Sequence, residues 1–483
     1  MTNATRRIAN SPLLLAVSIC FGIGGMAAAQ TWTRATSFGG PGSDVGISIR
    51  VSPEGDQYLT GYFLESVHVG KSTLVSGGDT DIFLARVGQW VVQIGGAGHD
   101  EGSDVAFDAA GNVYATGWFT GSATFHSKIS SPVTVSGNGE TIFLAKYSSC
   151  GELDWVQTGR VGSASVNRGH GVAVHTESGA IYVTGVSQNT TYFSSSNGTL
   201  SAVPGPRTWH MYLVKYDADG NFQWGEWNQA GVNSVPHKVA VDSRGSAYVT
   251  GWFEGQATFH SMDGLDQTVA GLSGPIQTRP DYPDDGFVVK YDGDGNVKWV
   301  NDIGGYKAIM NDISVSDSGQ VSITGLIGNM DGNAQQRETL ITSQPPGTTT
   351  NLGGGILSSP YNRDVVVATF DGSGVLLNAV RLGKADNEEG GCVIPSGDDL
   401  YVAGMSEKTN NLFIAKLTNG VVDWINENGG PIAAGIEVLP RMALLGQGNI
   451  VVLGAFTDTA AFGASQLNSN GAEDVFVAKM AVP

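Results

Sequence analysis

The sequence predicts an all-β chain made of one four-stranded unit written several times, and three observations carry that prediction. Glycine accounts for 69 of 483 residues, about twice the usual ~7%. Hydrophobic residues make up 41% and charged residues only 15%, a balance that favours a turn-rich folded chain over a disordered one. Two short strand-like motifs also recur seven times down the chain, and such self-similarity marks a repeat architecture.

The first 29 residues read as an export leader rather than structure. Arg6 and Arg7 form a positive start, Leu13 through Ile23 an apolar core, and Ala27-Ala28-Ala29 a small-residue cleavage pattern. A membrane anchor would need ~20 apolar residues, and Gly22, Gly24 and Gly25 interrupt this one. Lipidation at Cys20 and a twin-arginine signal at Thr5-Arg6-Arg7 are alternatives, each weakened by its flanking residue, Ile19 and Ala9. The expected location is secreted or periplasmic.

The first motif is a strand ending in Thr-Gly or a close variant. It occurs as Tyr58–Gly61, Tyr114–Gly117, Tyr182–Gly185, Tyr248–Gly251, Ser322–Gly325, Tyr401–Gly404 and Val451–Gly454. The second is an apolar strand that usually ends on a base: Ile82–Arg86, Ile142–Lys146, Tyr212–Lys215, Phe287–Lys290, Val365–Thr369, Leu412–Lys416 and Val475–Lys479. Before the first motif lies a short strand such as Val239-Ala-Val241, followed by the turn Asp242–Gly245. After the second comes an Asp-Gly or Asn-Gly hairpin signal, at Gly220, Gly295 and Gly420, and a strand carrying Trp224, Trp299 or Trp424. Four strands, seven times over and without helical periodicity, predict a seven-bladed β-propeller of antiparallel blades.

Ring closure is legible too. The seventh unit stops after its third strand, whereas Trp32 precedes Gly39-Gly40 much as Trp299 precedes Gly304-Gly305. Strand 31–38 is therefore expected to complete the last blade and to bury Trp32 against Val475–Ala478. The expected layout is a leader at 1–29 and one propeller domain at 30–483. Its blades lie near 43–96, 102–160, 169–231, 236–305, 310–383, 389–430, and 437–483 plus 31–38.

Gly-Gly-x-Gly-x-Asp, the Tyr-Val-Thr-Gly strand, and the Phe-Val-Ala-Lys strand with its Asp-x-x-Gly turn and Trp resemble the bacterial SBBP-type β-propeller repeat. Units two to four, Asp104 to Trp155 and Val239 to Trp299, match it best. Asn378 and Thr369 depart from the pattern in the fifth. The resemblance implies an exported propeller and no one shared activity.

Net charge is −19 at neutral pH, which disfavours nucleic acid and anionic membrane as partners. Beyond residue 29 only Cys150 and Cys392 remain, too few for a disulfide framework. No His-Glu-x-x-His, Gly-x-Ser-x-Gly, Cys-x-x-Cys or phosphate-loop motif occurs. No cofactor or metal is expected, and catalytic residues stay unassigned. Asp217–Asn221 and Asp292–Asn296 admit a calcium reading, but Ile303 stands where a helix-loop-helix site needs Glu, so a hairpin turn is favoured. Thr124-Phe-His126 and Thr258-Phe-His260 read as a repeated structural slot. The bases ending the third strands are expected to cover a blade edge with their stems while the charge stays in water.

Alignment of the first strands on their turns yields a ring of equivalent positions: Ser48, Asp104, Gly171, Lys238, Asp312, Gly391 and Arg441. The neighbouring ring is Ile47, Ser103, His170, His237, Asn311, Gly390 and Pro440. The next ring is small residues (Ala106, Ala173, Ala240, Ser314, Ala443) except Arg50, a plug or an anion ligand. Arg50, Asp104, His170, His237, Lys238, Asn311, Asp312 and Arg441 are the candidate ligand-binding residues, with a self-neutralising channel as the alternative. Insertions at 254–285 and 328–363 are expected on the same face, beside Trp209, Trp252, Tyr282, Tyr306 and Tyr361 and the acids Asp281, Asp284 and Asp285.

These features predict a monomeric, non-catalytic binding or scaffolding propeller that recognises a glycan or an envelope or extracellular protein. The alternative is a carbohydrate-active hydrolase or lyase with Asp104 and Asp312 as its acid pair. A quinone-dependent dehydrogenase is a third reading, drawn from the Asp-Gly…Trp blade ends.

Overall fold

The computed structural model describes residues 30–482 apart from 163–165, 272–283, 305–306, 329–336, 342–355, 360–362, 384–386, 434–437 and 447. The leader at 1–29 lies outside the described residues, as do Asp281, Tyr282, Tyr306 and Tyr361. No α-helix occurs among the described residues, and none is long and apolar enough to cross a membrane.

Antiparallel pairing groups the strands into seven four-stranded blades of a β-propeller. Six span 44–96, 100–161, 167–230, 234–304, 308–382 and 388–430. The seventh combines Arg441–Leu445, Asn449–Phe462 and Ser465–Ala481 with the N-terminal strand Thr31–Phe38. That strand pairs Trp32 with Met480 and Phe38 with Val475, so the chain ends close the ring by backbone hydrogen bonds. The innermost strands are Asp44–Val51, Asp100–Phe107, Asn167–Val174, Ser234–Val241, Ala308–Val315, Glu388–Ser396 and Arg441–Leu445. Each packs on the next, and the last on the first.

Alternation of side chains across a strand feeds two cores from each blade. In blade 1, Tyr58, Ile82 and Leu84 join the core shared with blade 2. Leu59, Phe83 and Ala85 join the core shared with blade 7. A buried cluster fills each of the seven interfaces in this way, so strands covered on both faces read as unbroken apolar runs.

Trp32 enters the last core differently from the expectation. Its ring meets Phe462 edge-on at 5.0 Å and lies over Gly429, on the side of the blade 6 interface. It is the same apolar cluster that holds Phe476 and Ala478.

The repeat signature builds contacts between blades. Lys215 Nζ and Trp224 Nε1 of blade 3 both donate to the Gly293 carbonyl in a turn of blade 4, at 2.6 and 3.0 Å. Lys290 and Trp299 of blade 4 grip Gly372 of blade 5 likewise, at 3.0 and 3.2 Å. Lys215 and Lys290 also lie over the rings of Tyr182 and Tyr248. Arg86, Lys146, Lys215 and Lys290 are thus not left in water as expected, because the next blade offers each a carbonyl, and Lys416 pairs instead with Asp399 and Asp423 of its own blade. The turns hold themselves: Asp217 Oδ1 accepts from the N–H groups of Asp219 and Asn221, and Asp292 Oδ1 from Asp294 and Asn296. That is hairpin geometry. Among the described residues no three metal-ligating side chains gather.

The insertions supply a second interlock. In blade 4 the hairpin Ala257–Phe259 and Gln267–Val269 pairs with the outer strand of blade 3, Phe259 against Asn228. In blade 5, Arg337–Ile341 and Ile356–Ser359 form a hairpin on the outer strand of blade 4. Blades 2, 3 and 7 reach back onto their neighbours in the same way. The hairpins within 254–285 and 328–363 therefore serve the outer rim rather than forming binding loops, because an unpaired outer edge takes up any hairpin that reaches it, whereas Asp284 at the end of the first insertion faces the channel mouth as expected. Phe125 and Phe259 are buried at these crossings, which explains the repeated Thr-Phe-His.

Candidate functional site: the axial cavity

Every innermost strand but that of blade 7 carries a β-bulge at one position. The register skips Ile47, Ser103, His170, His237, Asn311 and Gly391. A bulge turns its extra residue out of the ladder, here toward the axis. It also pushes backbone against the second strand: a Cβ on Gly117 would meet the Glu101 carbonyl at 2.0 Å, and one on Gly61 the Val45 carbonyl at 1.9 Å. The motif glycine of blades 1 to 6 is the consequence, whereas Gly454 of blade 7 is crowded by the Phe476 ring instead.

Blade 6 departs from the expected ring. Cys392, not Gly391, pairs with Ala403 at the position where Asp104 pairs with Thr116. The first hairpin of blade 6 is one residue shorter, closing as Ser396 opposite Asp399, so alignment on the following Tyr slips by one. Gly391 takes the bulge position given to Gly390.

The two rings staple the blades together. His170 Nδ1 donates to the Pro236 carbonyl at 2.7 Å, His237 Nδ1 to Met310 at 3.0 Å, and Asn311 Nδ2 to Gly390 at 2.9 Å. Each acceptor belongs to the next blade, and Arg441 donates back to Gly391. One ring deeper, Asp104 accepts from Ser48 at 2.6 Å and from the Val172 N–H at 3.1 Å. Asp312 accepts from the Val393 N–H at 2.9 Å.

Charge is concentrated at this depth. Asp104 is fully buried and lies 2.9 Å from Lys238 Nζ and 3.5 Å from Arg50. Burial raises its pKa, but Lys238, Arg50 and the Ser48 hydroxyl outweigh burial and hold it at about 2. Burial lowers Lys238 to about 8 against the pull of Asp104. Burial also lowers His170 to about 4 and His237 to about 3, so both rings are neutral at pH 7. Cys392, at the same depth, is pushed up to about 12 by burial and stays a thiol.

Above the ring opens a cavity of about 440 Å³, within the usual size range of a small-ligand site. Of the eight candidate residues, His170, His237, Lys238, Asn311 and Arg441 line it. Arg50 and Asp312 line a second cavity at the opposite channel mouth, and Asp104 is enclosed between the two. Sequence reasoning placed Trp209 and Trp252 correctly at the cavity but missed Trp118, Arg168, Glu101 and Lys307. Trp118 and Trp252 each follow the Thr-Gly glycine, a repetition that would have found them. Arg168 stacks over Trp118 at 4.3 Å and pairs with Glu140 at 2.7 Å, and Lys307 pairs with Asp284 at 3.0 Å. Asp104, proposed as half of an acid pair, is instead buried and occupied by neighbours in three blades.

Comparison with known proteins adds the following. The chain is 25% identical over 234 residues to an uncharacterized WD repeat-containing protein of Acanthamoeba polyphaga mimivirus. That alignment covers 44% of this chain and 16% of the relative, so the chain matches only a small part of the relative's length. In structure it is similar to a catalytically inactive virginiamycin B lyase from Staphylococcus aureus with quinupristin (TM-score 0.38, 11% identity, 93% of this chain and 99% of that one). It is also similar to the Dos1 propeller (TM-score 0.37, 9% identity, 94% and 95% covered). A family model, the SBBP beta-propeller repeat, matches residues 89–121, from the outer strand of blade 1 through the first two strands of blade 2. The chain thus carries an SBBP β-propeller repeat.

Proposed function

We propose that this protein is an exported, non-catalytic binding propeller that takes a saccharide in the axial cavity. The observation that carries the reading is the convergence of Trp209 and Trp252 on a cavity whose floor is polar. Indole faces suit the C–H face of a sugar ring, and Asn311, Ser103 and the histidines supply partners for hydroxyls. The residues of the floor are fixed by inter-blade hydrogen bonds, which keeps the site preorganised and lowers the ordering cost of binding. The leader read at residues 1–29 supports export.

The test is a glycan array probed with the purified protein, followed by calorimetry and product analysis of every hit. Trp209, which is 38% exposed, can be changed to Ala without opening the core, and that variant should lose most of the affinity. Turnover of a bound glycan would replace the binding reading with the hydrolase or lyase one. Capture of an envelope protein that leaves Trp209→Ala unaffected would move the function off the cavity.

A further inference from the structure

We infer that the saccharide is acidic, with a carboxylate that seats on Lys238 and Arg441 at the cavity floor. This deepens the saccharide reading and rests on it.

Three cations, Arg50, Lys238 and Arg441, meet at the channel ring, and two carboxylates, Asp104 and Asp312, stand among them. Asp104 is shared, 2.9 Å from Lys238 and 3.5 Å from Arg50. Arg441 donates to the Gly391 carbonyl, which leaves its charge uncompensated by any ion pair among the described residues. With both histidines neutral, the ring carries an excess of one positive charge. Around it, Arg168 and Lys307 are paired with Glu140 and Asp284, and Glu101 adds a carboxylate to the lining, so the cation left to a ligand is Arg441, beside a Lys238 that shares Asp104 with Arg50.

A second observation points into the cavity. Lys238 is 3% exposed and lines the cavity. No hydrogen bond in standard geometry reaches its ammonium among the described residues, although Asp104 lies close enough for charge pairing. An ammonium has three donors, Asp104 at 2.9 Å can take one, and buried donors left over are costly. A ligand carboxylate brings acceptors to Lys238 and Arg441 together, and charge-assisted hydrogen bonds of this kind are the strong ones. The rest of the lining fits the body of a sugar. The Pro236 carbonyl fixes His170 as the Nδ1–H tautomer, so its Nε2 is an acceptor for a hydroxyl, while Trp209 and Trp252 offer flat apolar faces.

The experiment is calorimetry of the full chain without its leader, at 50 mM and 300 mM salt, against galacturonate, mannuronate and glucuronate oligosaccharides. Each is measured beside its carboxyl-reduced neutral counterpart. The expected result is binding of at least one uronate, weakened tenfold or more by carboxyl reduction and weakened by salt. Arg441→Gln and Lys238→Met should each cost about tenfold in affinity for the uronate and little for the neutral form, with unchanged circular dichroism. Equal binding of acidic and neutral forms overturns the carboxylate seat and leaves the saccharide reading standing. Folded variants that bind the uronate like the parent also overturn the seat. Binding of neither class here and on the array overturns both. If the variants fail to fold, the comparison of acidic with reduced ligand on the parent protein still decides.

Discussion

Trp299 donates its indole N–H to the Gly372 carbonyl at 3.2 Å, and a Cβ on Gly374 in the same turn would meet the indole ring at 2.7 Å. The two residues lie in different blades, so a contact that looks like decoration of one hairpin is a joint between two. Trp224 with Gly293 repeats the joint one interface earlier, and Trp90 with Ser149 makes it between blades 1 and 2. The Asp-x-x-Gly turn and the Trp of the repeat are therefore one device split across neighbours.

Trp299 is 1% exposed, so Trp299→Ala should cost about 4 kcal/mol, in the range for large aromatic truncations. Lys290→Met keeps the aliphatic stem but removes the donor to the same carbonyl and the charge over Tyr248 and beside Asp242, and should cost about 1 kcal/mol. Urea unfolding followed by tryptophan fluorescence and circular dichroism measures both. Equal losses for the two variants would contradict the joint as described.

Gly117→Ala should be poorly tolerated for a different reason. Its Cβ would lie 2.0 Å from the Glu101 carbonyl, and backbone pinned by a bulge cannot retreat as a side chain can. The expected cost is about 3 kcal/mol, at the high end for overpacking. Gly162 has nothing within 4 Å of its Cβ position, so Gly162→Ala is the control and should change the melting temperature by about a degree or less.

Much of this was legible in the sequence because each strand writes its own signature. Tyr248 through Gly251 marks a second strand wherever it stands, and seven copies impose the ring. The channel residues followed from counting along those strands, which succeeded for Asp104, Lys238 and Asp312 and slipped at Gly391 where one hairpin is a residue shorter. The partners of a long-range contact were not legible. Nothing in Lys290 itself says that its acceptor lies 82 residues on at Gly372, nor does Phe259 announce that its hairpin pairs with blade 3. Trp118 was missed because the motif was followed only as far as Gly117, one residue short of it.

Stability should fall as pH rises from 6.5 to 8.5. Asp44 is fully buried, with Gly40 N–H on Oδ2 at 2.6 Å. Burial, opposed by that hydrogen bond and helped by the nearby Asp474, raises its pKa to about 8. Burial raises Asp100 to about 7. Such groups hold a proton in the folded chain that the unfolded chain has already released, so each pH unit up to the folded pKa favours unfolding. Lys238, lowered to about 8, has the opposite sign and limits the fall above pH 8, where the folded chain has released a proton that the unfolded chain still holds. His170 and His237, both lowered, also act oppositely to the carboxyls, with stability lost as pH falls from about 6.5. Above 6.5 they are neutral in both states. The melting temperature should drop by a few degrees across the window, and Asp44→Asn should flatten the slope. A flat or rising profile in the parent protein would overturn the assignment of protonated carboxyls at the blade 7–1 and 1–2 crossovers.

The last prediction concerns closure. Strand Thr31–Phe38 is the outer strand of blade 7, paired along its length with residues 475–481. Its two ends anchor in different cores: Trp32 against Phe462 on the blade 6 side, and Phe38 against Phe83 of blade 1 at 5.5 Å. A chain beginning at Asp44 loses the ladder and both anchors at once. It exposes the edge of Val475–Ala478, four buried residues in an apolar run, and an exposed apolar edge invites pairing with other chains. Such a chain should melt well below the parent and aggregate on concentration. Trp32→Ala keeps the ladder and loses one partly buried ring, so it should cost about 3 kcal/mol, at the low end for such truncations. Phe38→Ala should add nearly independently, because the anchors share no partner. Differential scanning calorimetry with light scattering separates the outcomes. If the chain beginning at Asp44 melts within a degree or two of the parent and stays monomeric, the N-terminal strand does not hold the ring.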